Sequence, residues 1–246
     1  MLMKVFVVNL KSSKTRRKYM ENQLKELWIQ FDIFPAVDWN LLTDDYLKNC
    51  YDWEKCKQYI WRHMTRWEIW CALSHLEIYK KIIKENIDNA LILEDDVMIS
   101  NSLKKYINLF TKKSNDWDYL SLTKQSYKSA FYYVYNKYYR NWKYLMFFIS
   151  STYRLIQMIF YNILYFISHI FWVLTVKHLQ QCWTRGYFIS YEWAKKLSNI
   201  HNKVFVPSDV LPYKFKKQCK LRFWYFVPSP LNIDTRFKSD IGDNRL

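Results

Sequence analysis

Glycine is almost missing from this chain: among 246 residues it occurs only at 186 and 242. A G-x-G-x-x-G dinucleotide turn or a Walker phosphate loop cannot be written with two distant glycines. Any bound nucleotide must therefore be held by something other than glycine-rich backbone. Cysteine is also sparse: Cys50, Cys56, Cys71, Cys182 and Cys219 make an odd count, with no C-x-x-C pair. That spacing supports neither a zinc site nor a disulfide framework, and reduced thiols in a cytosolic protein are the simplest account. The opening MLMKVFVVNL lacks the long apolar run and small-residue cleavage site of a signal peptide, and reads as a first strand. Acids are scarce relative to bases, 22 against 38, for a formal net charge of +16. The excess favours anionic partners (nucleic acid, phosphate esters or an acidic membrane surface), or it reflects a drift toward Lys, Asn, Ile and Tyr. Disorder is excluded, because 50% of the chain is apolar and 20% aromatic.

What is present reads as an α/β protein. KVFVVNL (4–10) is a β-branched and aromatic run, a buried strand. Met20, Leu24, Leu27, Trp28 and Phe31 fall on one face of a helix, and FDIFPAVD supplies a second strand ending near Pro35. A βαβ opening of this kind builds a layered α/β sheet. Residues 40–64 read as loops and short helices. Thr65 and Glu68 then fit a capping box, ahead of an apolar stripe from Ile69 to Ile83 that ends near Asn86. NALILE (89–94) is a strand apolar on both faces, and WDYLSL (117–122) is a shorter one. RGYFIS (185–190) precedes a helix from about Ser190 with Trp193, Ala194 and Leu197 inward, then KVFVPSD (203–209). The tail from 229 reads as irregular, and no internal repeat is visible.

Residues 155–176 carry no formal charge. As a helix they would reach roughly 33 Å, enough for a bilayer core of roughly 30 Å. Their polar residues, Gln157, Tyr161, Asn162, Tyr165, Ser168, His169, Trp172 and Thr175, nevertheless fall within an arc of about 140°. That pattern predicts a helix lying in a membrane interface, with a buried core helix and a true span as the alternatives. Lys137, Arg140, Lys143, Arg154 and Lys177 flank it and suit anionic headgroups.

The stretch LILEDDV gathers Glu94, Asp95 and Asp96 at the end of a buried strand. In an open α/β sheet, ligands bind outside the carboxyl ends of the strands. Carboxylates there suit a hard cation, Mn²⁺ or Mg²⁺, which can bridge the two phosphates of a nucleotide-sugar and neutralise the leaving diphosphate. The bland reading of the same acids is a helix cap or a solvated turn.

CALSHLEIYKKIIKENIDNALILEDDV (71–97) resembles the heart of the family 25 glycosyltransferases, the bacterial lipooligosaccharide and lipopolysaccharide enzymes, many of them β-galactosyltransferases. VFVVNLKSSKTRRKYMENQL, FDIFPAVD, GYFISYEWAKKL and VPSDVL resemble further segments of that family, so the similarity covers roughly 1–125 and 180–245. Trp70 stands where a glycine usually precedes the CALSH-like helix, and the region after Pro228 matches loosely. The resemblance implies a GT-A-type fold with a central mixed sheet, one domain over 1–246 with a helical insertion at about 131–178. It implies a UDP-hexose donor, UDP-galactose first, with a divalent metal and inversion at the anomeric carbon. Glu94 and Asp96 would hold the metal, with Asp95 helping at metal and ribose. Asp209 is the candidate general base and Asp118 its rival; each has a bland alternative, a helix cap and a solvated strand end. Asn9, Arg16, Ser74 and His75 are candidate donor-binding residues, and Asp234 and Asp240 could complete the metal shell. The expected setting is the cytoplasmic face of the membrane, peripherally attached, with a lipid-linked oligosaccharide acceptor and no nucleic acid. A metal-dependent nucleotidyltransferase or phosphatase, and a basic membrane-surface or nucleic-acid-binding protein, are the rivals.

Overall fold

The computed structural model describes residues 3–38, 43–112, 117–122, 174–176, 184–216, 218–220, 222–227, 229–234 and 236–237. In chain order the elements are β1 (Lys4–Asn9), α1 (Lys14–Glu26), β2 (Asp32–Pro35), α2 (Asp44–Cys50), α3 (Trp53–Ile60) and α4 (Arg66–Lys84). Then follow β3 (Asn89–Glu94), β4 (Val97–Ile99), α5 (Leu103–Lys112), β5 (Tyr119–Ser121), β6 (Leu174–Val176) and β7 (Gly186–Ser190). The chain closes with α6 (Tyr191–Ile200), α7 (Leu211–Phe215), β8 (Phe223–Val227) and β9 (Leu231–Ile233).

A mixed sheet in the order β2-β1-β3-β7-β5-β8-β6 forms the centre, and β4 with β9 makes a small second sheet. β1 runs parallel to both β2 and β3, while β7 is antiparallel to β3 and β5. Alternation along each strand splits the core into two layers. Phe6, Ala90, Ile92, Tyr187 and Ile189 face one layer, with α4 and α6; Val5, Val7, Leu91, Leu93 and Phe188 face the other, with α1 and α5. Burying such side chains contributes about 1.5–3 kcal/mol each, which is why β3, apolar on both faces, sits in the interior.

α4 begins as the sequence indicates. Thr65 Oγ1 accepts from the Glu68 N–H, and the Glu68 carboxylate accepts from the Thr65 N–H, closing the capping box. Arg62 ties down the same carboxylate, which lies below its ordinary range: burial alone would raise it, but Arg62 and Thr65 outweigh that.

Several expectations fail for definable reasons. α1 stops at Glu26, and Trp28 takes a left-handed φ of 55°, so its side chain leaves the predicted apolar face and is 86% exposed. The tail from 229 is not irregular throughout: Leu231–Ile233 forms β9, which pairs with β4, and β8 just before it joins the main sheet beside β5. Leu174–Val176 is a strand antiparallel to β8, so the predicted helix cannot run to residue 176. The rest of that helix, and the other residues of the expected insertion, lie outside the described residues. Among the described residues, no helix is long and apolar enough to cross a membrane.

Candidate functional site

The parallel strands β1 and β3 end side by side, so Asn9 and Glu94 stand at one edge of the sheet. β7 starts at that same edge, where the Glu94 N–H donates to the Arg185 carbonyl at 2.9 Å. Asp95 and Asp96 form the turn from β3 into β4, and the Asp234 N–H after β9 donates to the Asp96 carbonyl at 3.3 Å. The small second sheet thus clamps the acidic turn from behind.

The three carboxylates have different surroundings. Asp95 is buried; its Oδ2 accepts from Asn9 Nδ2 at 2.6 Å and its Oδ1 meets Arg16 at 3.3 Å. Burial still raises its pKa, with Asn9 and Arg16 opposing. Glu94 Oε1 accepts from the Thr184 hydroxyl at 2.8 Å and lies 3.6 Å from His75 Nε2. Burial pushes Glu94 up, but His75, Thr184 and Arg185 together hold it below the ordinary range. Asp96 is less supported. Among the described residues its buried Oδ1 has no hydrogen-bond partner, and burial, then the Glu94 charge, push its pKa up to about 6 against the nearby Arg185 and Arg16.

A fourth acid completes the group. Asp209 follows the Pro207–Ser208 turn, and Ser208 reaches the Thr184 hydroxyl at 3.4 Å. Burial, then the charges of Glu94 and Glu68, raise Asp209 to about 7. The segment that carries it is pinned by His201, whose Nε2 accepts from the Phe205 and Val206 N–H groups at 3.1 and 3.4 Å.

The other sequence candidates sort clearly. Asn9 and Arg16 belong to the site through Asp95. His75 belongs through Glu94, and its Nδ1 meets the Tyr187 hydroxyl at 2.6 Å. Ser74 does not offer a free hydroxyl: Oγ donates to the Trp70 carbonyl and accepts from the Val37 N–H, fastening the end of β2 to α4. Asp118, the rival base, is not brought to this group. It precedes β5, level with Ser190 and Asn89, which is the opposite end of the sheet from Glu94, roughly 17 Å away at about 3.3 Å per strand residue. Its carboxylate is taken by the Arg222 backbone and guanidinium. Asp234 comes beside Asp96 through its backbone, but its carboxylate is held by Arg236 and lies well below the usual range for that reason. Asp240 lies outside the described residues. Three participants were missed from sequence: Thr184, Tyr187 and Cys71. Only Cys71 carried a usable signal, its C-x-x-x-H spacing to His75 on one helix.

A hard divalent cation fits these residues. Among the described residues no donor reaches Asp96 Oδ1, and a carboxylate whose pKa is raised by burial and a neighbouring acid is stabilised by added positive charge. Asp96 would be its main holder, since Asp95 already has partners on both oxygens.

An α/β sheet with an acidic turn at the carboxyl ends of parallel strands, and Asp209 close enough to feel the Glu94 charge, is a layout suited to holding a charged ligand. The model of glycosyltransferase family 25 (LPS biosynthesis protein) matches residues 2–212, and the chain belongs to that family. Procollagen galactosyltransferase 2 of Mus musculus is 34% identical over 122 residues, covering 46% of this chain and 19% of that protein. A glycosyltransferase 25 family member of Aedes aegypti is 34% identical over 106 residues, covering 42% of this chain and 18% of its own length. The chain therefore spans about a fifth of these relatives, which are animal proteins and not the bacterial lipooligosaccharide enzymes first expected. A solved glycosyltransferase involved in the glycosylation of the major capsid of PBCV-1 aligns at TM-score 0.40 and 9% identity, over 92% of this chain and 82% of that one.

Proposed function

We propose that this glycosyltransferase moves galactose from UDP-galactose, with inversion, onto a sugar hydroxyl of a lipid-linked lipooligosaccharide or lipopolysaccharide acceptor, using Mn²⁺ or Mg²⁺. The buried, unpartnered Asp96 Oδ1 at the end of β3 carries the reading. The galactose assignment is supported by the activity named in the mouse relative, and the acceptor by the family's description.

Bound at Asp96, the cation supplies a counter-charge for the diphosphate leaving group. Every other role falls to the chain. Asn9 and Arg16 fix Asp95 so that the turn holds one shape, and Arg16 adds a planar cation beside the diphosphate. Thr184 orients Glu94, which stays ionised. Asp209 accepts the acceptor hydroxyl's proton as that oxygen bonds to the anomeric carbon and the bond to UDP breaks on the opposite face. A carboxyl at about 7 suits a base working near neutrality. Asp118 is not part of this reading.

The basic charge and the amphipathic sequence pattern of 155–173 support attachment to an anionic cytoplasmic membrane face, beside an amphiphilic acceptor. A panel of UDP-sugars, read by UDP release with and without Mn²⁺, tests the proposal. UDP-galactose should give the fastest release, and chelator should abolish it. Release unaffected by chelator, or absent with every UDP-sugar, overturns it.

A further inference from the structure

We propose that Cys71, His75 and Glu94 form a second cation site, selective for a thiophilic divalent ion of the zinc class and distinct from the hard-cation position at Asp96. One ligand atom from each residue, a sulfur, an imidazole nitrogen and a carboxylate oxygen, lies within 4.8 Å of the other two. Cys71 and His75 are four residues apart on α4 and share a helix face. Glu94 is delivered to them by the end of β3.

The spacing matches a bound ion better than direct contact. His75 Nε2 and Glu94 Oε1 are 3.6 Å apart, beyond hydrogen-bonding distance. Bonds of about 2.0–2.2 Å from zinc to nitrogen and oxygen, at a tetrahedral angle, set those two atoms about 3.4 Å apart. The sulfur, on a bond of about 2.3 Å, completes three corners and leaves the fourth to water.

A second observation points the same way. The Tyr187 hydroxyl donates to Tyr79 at 3.1 Å, so toward His75 Nδ1, 2.6 Å away, it acts as acceptor. That places the imidazole proton on Nδ1 and leaves the Nε2 lone pair aimed at Glu94 and Cys71. Tyr187, Tyr79 and His75 are all buried, so the tautomer is fixed by the core. Thr184 orients Glu94 Oε1 in the same manner. Hydrogen bonds from an outer shell that set ligand tautomer and orientation characterise built metal sites. Binding releases the Cys71 Sγ proton to solvent as the sulfur–metal bond forms, so apparent affinity rises with pH. These side chains form the site whether or not the transfer chemistry is as proposed.

The test uses the purified full chain, Co²⁺ as a spectroscopic probe and Zn²⁺ as competitor. One equivalent of Co²⁺ should give a near-ultraviolet thiolate-to-cobalt band with visible bands of tetrahedral intensity, and Zn²⁺ should displace it. Cys71→Ser and Cys71→Ala should both lose the thiolate band. Each should weaken Zn²⁺ binding by more than the about 10–100-fold typical of losing an outer-shell partner. Asp96→Asn should retain the band even where transfer is lost, which separates this site from the hard-cation one. Absence of the band in the wild type, its survival in both Cys71 variants, or its loss in Asp96→Asn overturns the proposal.

Discussion

The Asn9 side-chain amide donates to Asp95 Oδ2 across 2.6 Å, joining residues 86 apart in sequence at the ends of β1 and β3. The same amide reaches the Ser13 carbonyl at 3.2 Å, so strand end, acidic turn and the start of α1 are fastened together. The arrangement divides the acids: Asp95 is satisfied and structural, while Asp96 beside it keeps an oxygen without a partner. Asn9→Ala leaves a buried carboxylate oxygen without its donor, which costs about 1–3 kcal/mol. Chemical denaturation should show that loss as a lowered midpoint, and the donor KM should rise more than kcat falls.

Asp209 should impose a pH dependence on transfer. Its deprotonated form acts, so kcat/KM should climb with pH and level off above about 7. Asp209→Asn should remove that limb and lower the rate by about 10²–10⁴-fold, the usual contribution of a positioned base. Stability moves the other way. A carboxyl whose folded pKa is raised contributes stability that is fully present below its unfolded value and lost as pH rises through about 7. Thermal melts at pH 8 should therefore find Asp209→Asn more stable than wild type, with the gap closing toward pH 4.

His201 gives the opposite stability trend. Burial, then the nearby Lys55 charge, lower it from an ordinary 6.5 to about 3, and as a neutral ring it accepts two backbone N–H groups. Its contribution is present above 6.5 and is lost as pH falls toward 3, amounting to about 2 kcal/mol by pH 5. Melting temperature should fall between pH 7 and pH 5, and His201→Gln, which cannot gain a proton, should flatten that fall.

Gly186 is one position where this glycine-poor chain needs the missing side chain. A Cβ there would clash with Leu231 Cδ1 and meet Leu93 Cδ2 at 3.1 Å, and both leucines are buried. Gly186→Ala should cost about 1–3 kcal/mol by overpacking. Because the Arg185 carbonyl next to it holds the Glu94 N–H, donor affinity should weaken as well.

Much of the fold was legible because it depends on local chemistry. The Thr65–Glu68 capping box, the doubly apolar NALILE strand and the start of α6 near Ser190 are all short-range features, and each appears where the sequence places it. The acids at the end of β3 were readable for the same reason: a buried strand running into charge must surface there. What could not be read depends on distant partners. Asp118 looked like a free strand-end acid until Arg222, 104 residues later, was seen to bind it. The β4–β9 pairing joins Val97 to Ile233, and no local pattern announces it. Trp28 misled because helical periodicity continues past Glu26, where the backbone turns left-handed. Cysteine spacing alone argued against a metal site, since the third ligand beside Cys71 and His75 is Glu94, on a different element.

The central claim is that Asp96 holds the cation that neutralises the departing diphosphate. The most direct measurement is the anomalous-scattering position of manganese in crystals grown with Mn²⁺ and UDP, compared between wild type and Asp96→Asn. The wild type should show one strong peak bonded to an Asp96 carboxylate oxygen and to UDP phosphate oxygens, and Asp96→Asn should lose it while keeping its fold and losing at least about 10²-fold in activity, as expected when such charge stabilisation is removed. A manganese peak away from Asp96, or an undiminished peak in the variant, would contradict the account.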